Sequence, residues 1–362
     1  MLSKFKTLFI ILIVILLLST SAFASEINRY GIDVSQINTS YSDILSYDFN
    51  FENLVEIIAK GEFDEVLSLI LDTFKSNITK ALGNHKLVMS TLLGLLLLSG
   101  FQNMLFDDDF IHVTFLINIT ISGLLLSSYI SMYNLAANTI SDIVCFLKNA
   151  LPAFLGISAL VSVKSTYVNT VFIFSLTIFQ WLCENVLLPG ITIASVMSLI
   201  PAAGDNMKFS FIKNRIISVI NWTIGIYSTL FIAALKIVQI SALSTDKLLY
   251  GGIRYTISHG IPVVGGYVAD SLGAVLGGII AINNSVGIAA SLIIVSIALV
   301  PVVSIFLMSF LLKLISGFGG IFAHSSSSNL IGDISACISE LGVLVIVCSI
   351  GFVIAFSLML SH

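Results

Sequence analysis

The chain has 362 residues, of which 57% are hydrophobic and 10% charged, with a formal net charge of −4. Soluble domains carry about 25% charged residues, so an ordinary water-soluble globule is excluded, and the lack of any basic cluster excludes a nucleic-acid-binding surface. From Leu87 to His362 only 9 Lys/Arg and 10 Asp/Glu are spread over 276 residues, so most of the chain reads as membrane-embedded.

At the N-terminus, Lys4 and Lys6 precede an apolar core from Leu8 to Leu18 and the small-x-small triplet Ala22-Phe23-Ala24. This is the pattern of a signal peptide over residues 1–24, with an apolar core too short to span comfortably. An uncleaved anchor is the alternative, and either arrangement starts Ser25 outside the cytoplasm. Residues 25–86 carry 10 acids and 5 bases and read as a short extracytoplasmic helical region. Within it Val66, Ile70, Phe74, Ile78 and Leu82 recur every four residues, which predicts an amphipathic helix. Leu54, Ile57 and Ile58 suggest a shorter one before it. These helices pack on each other or on the membrane surface, or they offer a docking face to an extracytoplasmic partner.

Residues 87–362 form a polytopic transmembrane domain, because a helix rises about 1.5 Å per residue and a hydrocarbon core of about 30 Å needs roughly 20 apolar residues. Spans are expected near 87–106, 111–132, 143–163, 167–187, 216–235, 288–312 and 340–360, for six to eight crossings and an all-α fold. Tyr167 to Gly204 contains one charged residue, Glu184. As one straight helix it would measure about 57 Å, so a break is expected at Pro189-Gly190. The positive-inside tendency then puts Lys164, Lys208, Lys213 and Arg215 in the cytoplasm, with Lys247 and Arg254 outside.

Enzyme chemistry has no foothold in these residues. There is no Gly-x-x-x-x-Gly-Lys-Ser/Thr, His-Glu-x-x-His or Gly-x-Ser-x-Gly, so no catalytic, cofactor or metal site is expected. The five histidines are scattered, and Cys145, Cys183, Cys337 and Cys348 lie far apart in apolar segments, as buried inert thiols do. Glu184 is the clearest intramembrane charge, in the polar cluster Gln180-Trp181-Leu182-Cys183-Glu184-Asn185. It reads either as a gate, proton or substrate group or as an interfacial residue beside the aromatic anchor Trp181. Asp142 and Lys148, six apart, do not share a helix face, so surface positions without direct pairing are expected.

The segment from Tyr250 to Gly287 holds nine glycines in 38 residues, and small residues recur every four positions at Gly265, Ala269, Gly273, Gly277, Ala281, Ser285 and Ala289. Gly266 adjoins this row, and Asp270 lies between Gly266 and Gly273 on the same helix. Small-xxx-small rows let helices approach closely in lipid, here either within the chain or between subunits. Asp270 then caps a helix or pairs across the contact.

Ile261-Pro262-Val263-Val264-Gly265-Gly266, Ala269-Asp270-Ser271 and Asn284-Ser285-Val286-Gly287, in this order and spacing, resemble the stage III sporulation protein AE family. Gly100-Phe101-Gln102-Asn103 and the Asp246–Arg254 pair agree, whereas Asn283 and Ser325 to Ser328 depart from the pattern. The resemblance implies a multi-pass protein of the mother-cell membrane around the forespore. Its place would be in a channel or secretion-like complex required after engulfment in endospore formation. The implied partners are other membrane proteins of the same operon, including an ATPase and ring-forming proteins, and a forespore membrane protein. A secondary transporter, suggested by broken helices, and a non-conducting scaffold remain as other classes. If the small-residue row is a packing surface, Gly273→Leu with Gly277→Leu disrupts packing or assembly; normal assembly and sporulation in the double variant would refute that role.

Overall fold

The computed structural model describes residues 85–102, 111–161, 177–200, 211–227, 265–322 and 325–360, together with positions 79, 83, 174, 175, 229, 230 and 233. The signal peptide, the amphipathic helices of 25–86 and the segment 234–264 lie outside the described residues, apart from positions 79, 83, 85 and 86 of the N-terminal region. Every described element is a helix. They are α1 (His85–Gln102), α2 (Ile111–Val161), α3 (Thr177–Leu199), α4 (211–227), α5 (Gly265–Phe322) and α6 (Ser325–Leu360). Five of them, all but α4, are long and apolar enough to cross a membrane.

Two expectations about the spans are corrected. The spans predicted at 111–132 and 143–163 are one continuous helix of 51 residues. Asn134, Asn138 and Asp142 dilute the apolar character of the middle without removing a backbone hydrogen bond, so nothing ends the helix there. Its length is about 76 Å, well over twice the hydrocarbon thickness. The grouping of Lys164 and Lys208 with Lys213 and Arg215 on one side involves positions outside the described residues.

The second correction concerns Pro189-Gly190, where no break occurs. Cys183–Leu187 form a π turn in which the Leu188 N–H donates to the Cys183 carbonyl, and an α-helix resumes at Leu188. The wider turn absorbs one extra residue and leaves Pro189 in the first turn of the resumed helix, where its missing N–H costs least. In α5, Pro301 sits inside the helix and leaves the Ile297 carbonyl without its usual donor.

α5 and α6 turn back on each other with only residues 323–324 between them, and their antiparallel contact is the most extensive in the bundle. Ser309 and Ser335 each donate through Oγ to the other's carbonyl at 2.8 Å. Seven residues on in α5 and seven back in α6, Ser316 and Ser328 repeat the exchange at 2.8 and 2.6 Å. The seven-residue step returns each pair to the same side of both helices, as in a coiled-coil seam. Between and beyond these pairs the helices touch through glycine: a Cβ on Gly332 would meet Ser316 Oγ at 2.9 Å, and one on Gly342 would meet the Phe306 ring at 2.7 Å.

The other helices wrap this pair. α2 runs along both α5 and α6, burying Ile121, Leu125, Tyr129, Ile140 and Phe146. α3 packs on α6 through Phe179, edge-on to Phe352 with ring centroids 5.5 Å apart. α1 reaches α5 where Leu96 fills the space above Gly319, and it joins α2 through Gln102 Nε2 donating to Thr114 Oγ1 at 2.8 Å.

Overpacking the seam tests its closeness. Gly342→Leu drives a side chain into the Phe306 ring and lowers stability by about 1–3 kcal/mol, read as a fall in detergent-solubilised thermal midpoint. Gly351, with nothing within 4 Å of its would-be Cβ, tolerates Ala without loss. Equal midpoints for the two variants would contradict the close-packed seam.

Candidate functional site

Polar groups inside a bilayer persist only where something satisfies them, so the buried hydrogen bonds between helices mark the candidate positions. They converge on α6. Facing α2, Ser327 donates to Asn118 Oδ1 at 2.6 Å, and both side chains are buried. Facing α3, Cys337 Sγ lies 3.8 Å from Ser198 Oγ. Facing α4, Asp333 Oδ1 takes the Lys213 ammonium at 2.5 Å. The Lys213 side chain is 6% exposed and that of Asp333 33%, so the lysine carries most of the desolvation and the carboxylate keeps an outlet.

A second polar group joins α2 to α3. Tyr129 and Thr192 hydroxyls meet at 3.1 Å, and nineteen residues further along α2 the Lys148 ammonium donates to Gln180 Oε1 at 2.9 Å. Gln180 Nε2 then donates to Glu184 Oε1 at 2.9 Å. Glu184 therefore sits on the exposed outer side of the π turn, one amide away from Lys148. Asp142 and Lys148 do not pair, as their spacing predicts; the lysine instead uses a residue 32 positions away. Among the described residues no cluster of three His, Cys, Asp or Glu could hold a metal ion.

The small-residue row is placed only in part. Gly265, Gly266, Ala269, Asp270, Gly273, Gly277 and Ala281 lie in the helical first part of α5, and their side-chain surroundings lie outside what is described. The close-packed seam that is described runs instead through Ser328, Gly332, Ser335 and Gly342 of α6 against Ser309 and Ser316 of α5. Its sequence signal was available as Ser and Gly at three- and four-residue steps from 328 to 342. Asp333 carried no signal, because its partner lies 120 residues away.

The cysteines also divide. Cys183, Cys337 and Cys348 are buried, as expected, whereas Cys145 is exposed, which corrects the expectation for that residue. It lies on the outer face of α2, where it accepts a weak contact from Asn149 Nδ2 at 3.7 Å. Cys183 and Cys348 interact across α3 and α6, one helical turn from the Phe179–Phe352 contact.

Removing one member of the buried ion pair strands the other. Asp333→Asn leaves Lys213 buried without a counter-charge, with a cost toward the lower end of the roughly 3–5 kcal/mol found for broken buried pairs, since Asp333 is partly wetted. Lys213→Met combined with Asp333→Asn recovers most of that loss in a double-mutant cycle on thermal unfolding. Additive losses in the cycle would show that the pair is not coupled.

The stage III sporulation protein AE family model matches residues 49–362. A relative from Bacillus subtilis (strain 168), named stage III sporulation protein AE, is 22% identical over 193 residues, covering 53% of this chain and 48% of that protein. The chain thus spans about half the length of this relative in the matched region. No solved structure matches the chain. The family match takes in all six described helices, including the α5–α6 seam and the Lys213–Asp333 pair, and the chain belongs to the stage III sporulation protein AE family.

Proposed function

We propose that this protein is a multi-pass membrane subunit of the channel or secretion-like complex that joins the mother cell to the forespore after engulfment. Family membership over residues 49–362 carries the reading and supports a role in sporulation. The mother-cell membrane is its location, and its partners are the other membrane proteins of the stage III sporulation A operon. These include an ATPase and ring-forming proteins, with a forespore membrane protein across the intermembrane space. The extracytoplasmic region 25–86 offers a surface for the latter contact.

The protein acts as a binding and assembly component, with no catalysis of its own. A fixed bundle whose polar groups pair across helices suits a component that presents surfaces to neighbours. A transporter reading would place the transported charge at Glu184, yet Glu184 faces outward beside Gln180 and Lys148, a position better suited to an interface or a membrane edge.

Deleting the gene in its own host provides the test, by following forespore size and a late forespore-specific reporter once engulfment is complete. Shrunken forespores and a silent reporter are expected. Normal sporulation with altered uptake or growth would overturn the proposal in favour of a transporter.

A further inference from the structure

The contact between α4 and α6 holds more acid than base. Lys213 pairs with Asp333. Seven residues on in α6 and eight on in α4, the side chains of Glu340 and Asn221 are hydrogen-bonded. Both contacts advance in the same direction, so the two helices run parallel, and Glu340 sits about 10 Å along α6 from Asp333. Glu340 thus has an amide where Asp333 has an ammonium. Arg215, the other cation of α4, is exposed and lies over the Phe211 ring at 5.1 Å. Tyr227, further along α4, donates its hydroxyl to the Ser175 carbonyl. The remaining neighbours of α6 bring no cation to this level among the described residues. α5 has no charged side chain from Ser271 to Leu312. On α3 the stretch around Ser198, which meets Cys337, is uncharged, and Glu184 lies toward the other end. α2 contributes the Tyr129 hydroxyl, near Cys337 and bonded to Thr192, while Asp142 and Lys148 follow more than three turns later.

The surroundings of Glu340 are apolar on both sides. It is partly buried and sits at the middle of Ser326–Val353, the stretch of α6 long and apolar enough to cross a membrane. Ile338, Leu341 and Leu344 around it are fully buried. At the same level the outward-facing residues include Ile193 and Val196 of α3 and Trp222 and Ile226 of α4, all apolar or aromatic and 47–72% exposed. Asn221, the polar residue beside them, spends its side chain on Glu340. The outer face of α4 turns polar at its other end, with Asn214, Arg215 and Ser218 exposed. A surface of this composition suits hydrocarbon, which solvates no charge.

We propose that Glu340 is a proton-binding site, its carboxyl carrying a proton in the folded bundle. Asn221 suits the acid, because an amide accepts from its O–H and donates to its carbonyl. With the proton bound, Lys213 and Asp333 balance each other and the α4–α6 contact is neutral. Without it the contact encloses a net negative charge, which apolar surroundings penalise. Uptake or release of this one proton therefore changes how α4 is held on α6. The property is additional to an assembly role and does not depend on it.

Dicyclohexylcarbodiimide, an apolar reagent that reacts with protonated carboxyls, provides the test on the full chain in native membranes. The acid gives its proton to one carbodiimide nitrogen as its oxygen bonds the central carbon, and the acyl group then migrates to nitrogen to leave a stable N-acylurea. Nothing departs, so the modified peptide gains the whole mass of the reagent. The adduct is expected on the peptide carrying Glu340, with its yield falling as the pH is raised, and it should be lost in Glu340→Gln. Asp333, paired with Lys213, should carry none. Infrared spectra give a measurement independent of reagent access: the carbonyl band of protonated carboxylic acids, taken at neutral pH, should lose one carboxyl's intensity in Glu340→Gln. Modification of Glu340 by a water-soluble carbodiimide with glycine ethyl ester would overturn the proposal, since the carboxyl would then be open to water. Protection of Glu340 by sodium ions at constant pH and ionic strength would overturn it in favour of a metal-cation site. Absence of both the adduct and the infrared difference would overturn it outright.

Discussion

Reciprocal serine bonds between α5 and α6 set the frame on which the rest of this bundle is built. Lipid provides no hydrophobic force to press apolar helices together, so close approach and hydrogen bonding must define how they meet. Ser309 with Ser335 and Ser316 with Ser328 do this twice at a seven-residue interval. A slip of one residue would break all four exchanges at once. Glycines at 332 and 342 bring the backbones near enough for the hydroxyls to reach. With its register fixed, α6 offers a different residue to each neighbour: Ser327 to α2, Asp333 to α4 and Cys337 to α3.

This arrangement separates a rigid interior from an adaptable exterior. Along α6 from Leu341 to Val353 no residue is fully exposed, and α5 from Ala290 to Val300 is equally enclosed. These stretches have little free surface, and α5 turns outward only further along, where Phe310, Leu314, Phe318 and Ile321 are exposed. The polar groups of the exterior follow the same division. Lys213 is drawn inward to Asp333, where it ties α4 to the centre, while Lys148 and Glu184 remain outside at the boundary of α2 and α3. For a protein that belongs to a sporulation family, such an enclosed centre and varied rim suit incorporation into a larger membrane assembly.

Much of the architecture was legible in the chain, and the failures have physical causes. Apolar runs identified the helices of the C-terminal half, because nothing in 288–312 or 340–360 competes with a spanning helix. The same windows split α2 in two, since Asn134, Asn138 and Asp142 lower local hydropathy although they do not interrupt a helix. Pro189 signalled a break because the ring removes a donor; the π turn before it, which has no sequence signature of its own, met the same requirement differently. The glycine row at 265–281 drew attention by density, whereas the described seam uses serines that look unremarkable until their seven-residue spacing is matched between two helices. Pairings such as Lys213 with Asp333 and Asn118 with Ser327 depend on tertiary placement over 120 and 209 residues, which no local pattern encodes.

The π turn of α3 makes chain length there a structural variable. Five residues, Cys183 to Leu187, occupy a turn that regular α-helix would complete with about one fewer. Removal of a single residue from this stretch would restore ordinary winding at nearly unchanged rotation, since five residues of π turn advance about as far round the axis as four of α-helix. Phe179 would still face Phe352 and Ser198 would still face Cys337, whereas one residue removed elsewhere between those contacts would turn the two ends of α3 apart by about 100°. The stretch 183–187 is therefore where α3 can lose a residue and keep both ends on α6.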